Sequence, residues 1–229
     1  MRPEPTAQPK LIYFAERPPQ LDRAGFRARW RAHAKLGMSM PRWRNVARYV
    51  HCDSLEMPET SLPSAWCDGV AMIWYRSEEN RLAHVTDRSA APRMKRDEQE
   101  SFARPVREVA VLSEEHVFKP CEGARYKLFL RVWRKPEQSL EDFRMERLKG
   151  HGPRLLQGME AEGLCRGYVQ NHARAESPAA SVPPPLCDCV EELACDDAAA
   201  CVALLRPLLD EDAAEVRAVW TEETLLYSL

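Results

Sequence analysis

Two apolar runs in the chain open alike: "KLIYF" begins at Lys10 and "KLFLR" at Lys127. Each reads as a buried strand, over 10–15 and 127–133. Apolar residues at helical spacing follow in both places, over about 22–35 and 139–149, with Asp22 and Ser139 as N-caps. Phe26 and Phe143 hold the same place in the two helices. Further on, "RYVHCD" (48–53) answers "GYVQNH" (167–172), with Tyr49 matching Tyr168. "CDGVAMIWY" (67–75) answers "CDCVEELAC" (187–195), with Asp68 matching Asp188. A second helix is predicted over about 77–86 and 197–209. A last strand then carries "VLSEEHVF" (111–118) and "VWTEETLL" (219–226).

The matches keep one order with little drift, so the chain reads as two copies of one unit. The first occupies 10–118, the second 127–229, and "KPCEGAR" (119–125) links them. Each unit reads β-α-β-β-α-β. The predicted fold class is α+β: two tandem ferredoxin-like units, each a four-stranded antiparallel sheet with its helices on one face. The bare face of each sheet needs cover, and the other copy supplies a matching face. The result is an intrachain pseudo-dimeric α+β barrel. Proline-containing loops, "SLEMPETSLPSA" and "ARAESPAASVPPPL", separate the second and third strands in both copies. Residues 87–108 are charged and helix-prone, and are largely shortened in the second copy.

Alternation along "GYVQNH" puts Tyr168, Gln170 and His172 on one face of a strand and Val169 and Asn171 on the other. Such a polar row meets water or lines a pocket. The two copies differ around it. "YVQNH" stands where the first copy has "YVHCD". Asp188 and Glu192, of equal parity on the third strand, answer to Asp68 and Met72.

Composition narrows the functions. The chain has 229 residues, 45% hydrophobic and 30% charged, with a net charge of −2. That balance gives no general attraction to nucleic acid or anionic membrane. "MRPEPTAQPK" has no apolar signal core, and no run approaches the ~20 apolar residues of a membrane span. A cytoplasmic location is expected. The eight cysteines form neither a disulfide framework nor a zinc module, and free buried thiols are expected. Neither G-x-G-x-x-G after a strand nor a P-loop is present.

The succession "SLEDF", "HGP", "GYVQNH", "CD-V-EEL" and "TEE" resembles the EthD domain, named for ethyl tert-butyl ether degradation. That family belongs to the dimeric α+β barrel superfamily. The resemblance covers both halves and implies a small-molecule pocket in each unit, between sheet and helices. His151 takes the family's histidine position; the first copy has Ala34 there, with His33 one place early. The resemblance therefore points to the second copy. His151 would serve as general base, Tyr168 as oxyanion donor, and Asp188 or Glu192 as orienting acid. Gln170 and His172 would line the substrate pocket.

Plainer roles stand beside these. His151 suits a helix C-terminal cap, Tyr168 a core-edge aromatic, His172 an exposed strand end, and Asp188 a backbone anchor. One of Trp74 and Tyr75 should fill the first copy's core or pocket. The expected function is a cofactor-independent lyase, dehydratase or isomerase acting on an aromatic or polyketide-like molecule. The alternatives are a cofactor-free monooxygenase and a non-catalytic ligand-binding or accessory protein. No metal and no cofactor are expected, and a further pairing into a homo-oligomer stays open.

Overall fold

A computed structural model describes residues 3–56, 65–89, 91–121, 123–164, 166–174, 186–209 and 215–229. The first half contains β1 (Lys10–Ala15), α1 (Arg23–Met38), β2 (Val46–Ser54) and β3 (Gly69–Tyr75). It continues with α2 (Glu78–Thr86), α3 (Ala91–Ser101) and β4 (Ala110–Lys119). The second half contains β5 (Tyr126–Trp133), α4 (Leu140–Met145), a π-helical segment (Glu146–His151) and α5 (Gly152–Ala161). It ends with β6 (Gly167–Ala173), β7 (Cys189–Cys195), α6 (Ala198–Leu209) and β8 (Glu215–Ser228).

The eight strands close into one antiparallel barrel in the order β1-β3-β2-β8-β5-β7-β6-β4. Within it, the first four strands run β4-β1-β3-β2 and the last four β8-β5-β7-β6, the same order twice. Two seams join the halves. At one, Cys52 of β2 stands opposite Glu223 of β8. At the other, His116 of β4 stands opposite Gln170 of β6. Closure leaves no strand edge unpaired.

Closure also buries both faces of the strands. All seven residues of β6 and of β7 are buried. One face looks into the lumen, which is filled by residues such as Ile12, Val50, Met72, Phe129, Val190 and Val219. The other face meets the helices. In the first half this outer core holds Phe26, Trp30, Tyr49 and Tyr75. In the second it holds Phe143, Met159, Tyr168, Leu193 and Leu205. Trp74 thus turns into the lumen and Tyr75 toward the helices.

Local chemistry sets the helix starts. Asp22 Oδ1 accepts the Gly25 N–H at 2.7 Å, and Ser139 Oγ accepts that of Asp142 at 3.0 Å. The charged stretch after α2 forms α3. Its Asp97 accepts from Arg29 Nη2 at 2.7 Å and pairs with His33 Nδ1 at 2.6 Å, which clips α3 onto α1.

Two expectations change. The helix expected over 139–149 does not stop at "GHGP"; it passes through the π-helical segment into α5 and ends at Ala161. Pro153, which has no N–H to donate, falls directly after the π-helical segment, where the run returns to α geometry. Residue His151 is therefore interior to a long helical run and is no C-terminal cap. The proline-containing loops fall mostly at 57–64 and 175–185, outside the described residues. The seven described cysteines are free and buried. No described helix is long and apolar enough to cross a membrane.

Candidate functional site

On the helix-facing side of the second half, polar groups replace core residues of the first. In the correspondence read from the sequence, Arg147 falls at the place of Trp30 in α1, His151 at that of Ala34, and Glu191 at that of Ala71 in β3. These substitutions build one buried cluster. Glu191, with none of its surface exposed, accepts from Arg147 Nε at 3.0 Å and also from Arg147 Nη2. His151 Nε2 lies 2.9 Å from Arg147 Nη2 and 3.5 Å from Glu191 Oε2. Burial alone would raise the Glu191 carboxyl; Arg147 and His151 overcome it and hold it down to about 2.

The row on β6 packs beneath this cluster. Gln170 Nε2 donates to the Arg147 carbonyl at 3.1 Å and to Tyr168 Oη at 2.6 Å. Its Oε1 faces His172 Nε2 at 3.0 Å, so that nitrogen carries the proton. The Tyr168 hydroxyl accepts from Gln170, which leaves its own hydrogen uncommitted. Burial and the Glu191 charge push Tyr168 well above the usual phenol range, so it stays a donor. Burial, with His116 and Arg144 nearby, lowers His172 to about 3. His172 is 1% exposed, against the exposed strand end expected for it. Closure of the β4–β6 seam covers it.

Four of the six residues singled out in the sequence thus come together: His151, Tyr168, Gln170 and His172. Asp188 and Glu192 do not join them. Asp188 Oδ2 accepts the Arg134 N–H at 2.9 Å, as Asp68 Oδ2 accepts that of Arg17 at 2.9 Å. Both are anchors where the third strand of each half begins. Glu192 points into the lumen. It accepts from Lys10 Nζ at 2.9 Å and Lys127 Nζ at 2.6 Å. Those lysines also pair with Glu115 at 2.7 Å and Glu223 at 2.5 Å, respectively. Burial would raise Glu192, but Lys10 and Lys127 hold it at about 2.

Sequence reasoning missed Arg147 and Glu191. Glu191 has the parity of Cys189, Leu193 and Cys195, all of which face the helices. Arg147 lies four residues before His151, one helical turn away, and that spacing was the available signal.

A mainly apolar groove of about 770 Å³ opens between β4 and α5, walled by Val117, Phe118, Pro153 and Leu156, with Gln157 and Glu160 also lining it. The Phe118 ring stacks on Tyr168 with centroids 5.0 Å apart. Phe118 therefore separates the groove from the polar row. Among the described residues, no group of three or more His, Cys, Asp or Glu is arranged to hold a metal ion. Nor does the site fit a haem. His151 Nε2 is engaged with Arg147 and Glu191, and His172, whose Nδ1 has no partner among the described residues, is 1% exposed and packed in.

In the first half, the corresponding face is aromatic. Trp30 Nε1 donates to Tyr13 Oη at 3.0 Å, and Tyr13 and Tyr49 share a hydrogen bond of 2.9 Å. His51 stacks on Trp30 with centroids 3.7 Å apart and meets Tyr49 Oη at 2.6 Å.

Solved structures with this architecture span nearly the whole chain. An anthrone oxidase-like protein aligns with a TM-score of 0.62 at 11% identity, covering 97% of this chain and 92% of its own. A putative monooxygenase from Fusobacterium nucleatum aligns at 0.55 and 10% identity, covering 96% and 94%. A heme-binding protein from Thermus thermophilus aligns at 0.50 and 11% identity, covering 99% and 95%. At such identities the likeness is one of fold. No curated protein matches the sequence. A family model, the EthD domain, matches residues 18–105, within the first half of this closed eight-stranded α+β barrel.

Proposed function

We propose that 10–118 and 127–229 are tandem ferredoxin-like copies of the EthD unit, fused as an intrachain pseudo-dimer. We further propose that the chain is a small-molecule enzyme whose working site is the helix-facing cluster of the second copy. The reaction is a proton transfer of the lyase, dehydratase or isomerase kind, carried out by side chains. The substrate is aromatic or polyketide-like and enters by the groove, and the Phe118 ring, which covers Tyr168, turns aside to let it reach the cluster.

One observation carries this reading: His151 Nε2 sits between an arginine donor and a carboxylate acceptor. Unprotonated, it accepts from Arg147. Protonated, it donates to Glu191. The two states differ by one proton and need only a small shift of the ring, which is what a general acid–base group requires. Tyr168, kept protonated by its surroundings, supplies a donor to an oxygen that gains charge. The groove supports a planar substrate with a large apolar part, since Phe118, Val117, Leu156 and two prolines line it, with Gln157 and Glu160 as its polar members.

A second reading, a cofactor-free monooxygenase, draws on the two solved structures described as an anthrone oxidase-like protein and a putative monooxygenase. Both readings begin with the same proton abstraction. They part at dioxygen. A panel of tricyclic phenols and anthrones, ranked by thermal shift and then assayed for turnover with and without oxygen, tests them. Turnover that persists without oxygen supports the lyase or isomerase reading, and stoichiometric oxygen uptake supports the other. A panel whose hits bind Leu156→Arg as tightly as the natural protein removes the groove, and this placement of the site with it.

A further inference from the structure

The lumen has two unlike ends. At one, Lys10, Lys127 and Arg48 meet Glu115, Glu192 and Glu223, and each cation has a carboxylate within 3.6 Å. Four residues along the same face of β5 from Lys127 stands Arg131, only 5% exposed. Arg131 has no ion pair and no hydrogen bond among the described residues, and its Nε is buried without an acceptor. Rings enclose it instead: its Cζ is 3.7 Å from the centroid of Trp66, 4.8 Å from Trp133 and 5.2 Å from Phe14. Buried Cys67 and Cys187 lie close by. Burial pushes both thiols up to about 12, so neither contributes negative charge. Nearby Glu215 is spent on Arg217 at 2.6 Å.

A guanidinium held among rings, with its Nε buried and no counter-charge among the described residues, is unfavourable, and aromatic faces offset only part of that. The repeat shows that the charge is no part of the shared unit, because the first copy has Phe14 at this place. One copy alone introduces a cation among these rings, and its Nε has no partner among the described residues.

We propose that this end of the lumen binds a small carboxylate anion, with Arg131 as its anchor and Trp66 and Trp133 as its walls. The planar fork of a guanidinium matches a carboxylate, and one unpaired cation suits a monoanion. A phosphate dianion would call for a second free cation, and Arg217 is already paired. The site lies on the opposite face of the sheet from His151 and stands independently of the enzyme reading.

The test titrates acetate and benzoate into the intact protein at constant ionic strength set by chloride. It follows tryptophan emission and melting temperature. The natural protein should respond saturably to both, with acetate competing against benzoate. Arg131→Met should lose the response. Arg131→Lys, which keeps the charge but not the fork, should bind at least tenfold more weakly. An absence of saturable response, or an Arg131→Met protein that responds like the natural one, would overturn the proposal. A response to chloride alone that equals the carboxylate response would also overturn it. If Arg131→Met does not fold, Arg131→Lys decides: unchanged affinity sinks the proposal, and weakened affinity sustains it.

Discussion

Two neighbouring glutamates on β7 serve opposite faces of the barrel wall. Glu191 holds Arg147 and His151 under the helices, and Glu192 holds Lys10 and Lys127 in the lumen. Replacing Glu192 by alanine strips a shared counter-ion from two buried lysines, and breaking buried pairs in this way costs about 3–5 kcal/mol. Urea denaturation of Glu192→Ala should show that loss; a loss below about 1 kcal/mol would contradict the lumen network.

Acid should act in two stages. His172 and His84 are held neutral in the fold, at about 3 and about 4, each lowered chiefly by burial. The unfolded chain takes up their protons first, so stability begins to fall as pH drops below about 6.5. Glu191 and Glu192 are held at about 2, below their ordinary 4.5. Their contribution is full above 4.5 and is lost as pH falls from there toward 2. Melting temperature against pH should therefore slope gently from near 6.5 and steeply below 4.5. A flat profile down to pH 3 would contradict these burials.

At this scale the sequence was half legible. Alternation placed Tyr168, Gln170 and His172 on one face correctly. The same argument joined Glu192 to His151, because both faces of β7 are buried and the string "CVEELAC" does not mark which one meets the helices.

Among the elements, the helical run from Leu140 to Ala161 matters most. Its π-helical segment inserts a wide turn at Glu146–His151, and such turns recur at functional sites. Gly152 follows directly. A Cβ there would lie 2.4 Å from Phe118 Cζ and 3.0 Å from the Arg147 carbonyl. The missing side chain lets Phe118 pack between the groove and Tyr168. Gly152→Ala should destabilise by about 1–3 kcal/mol through overpacking. It should also weaken binding in the groove while binding at the Arg131 end stays unchanged. Chemical denaturation and paired titrations would read this; equal stability would show that Phe118 has other room. The helix start at Ser139 was readable from its cap, whereas "GHGP" read as a stop because glycine and proline usually end helices. Nothing local signals that the turn widens and continues. The charged stretch 87–108 was rightly seen as helix-prone, but its packing onto α1 through Asp97 and His33 depends on tertiary contact.

For the whole molecule, the repeat read from the sequence led to the expectation of an α+β barrel, and the eight strands do close into one. The seams were less legible, since they depend on edge pairing that hydrophobic pattern does not encode. Each half alone would expose two strand edges, one at each seam, and edges of that kind aggregate. Fragments 1–120 and 121–229 should be insoluble apart and should reassemble when produced together. Two soluble, monomeric halves would argue against the seams as the source of stability.

The central claim is that the working site belongs to the second half and turns on His151. Its most direct measurement is the turnover of the best substrate from the tricyclic panel by the natural protein, His151→Ala and His33→Ala. His151→Ala should lose about 10²–10⁴ in rate with its fold intact by circular dichroism. His33→Ala, which breaks the contact to Asp97 and the edge-on packing against Phe102, should retain activity. A damaging His33→Ala beside an active His151→Ala would reverse the assignment of the halves, and full activity in both would contradict the account.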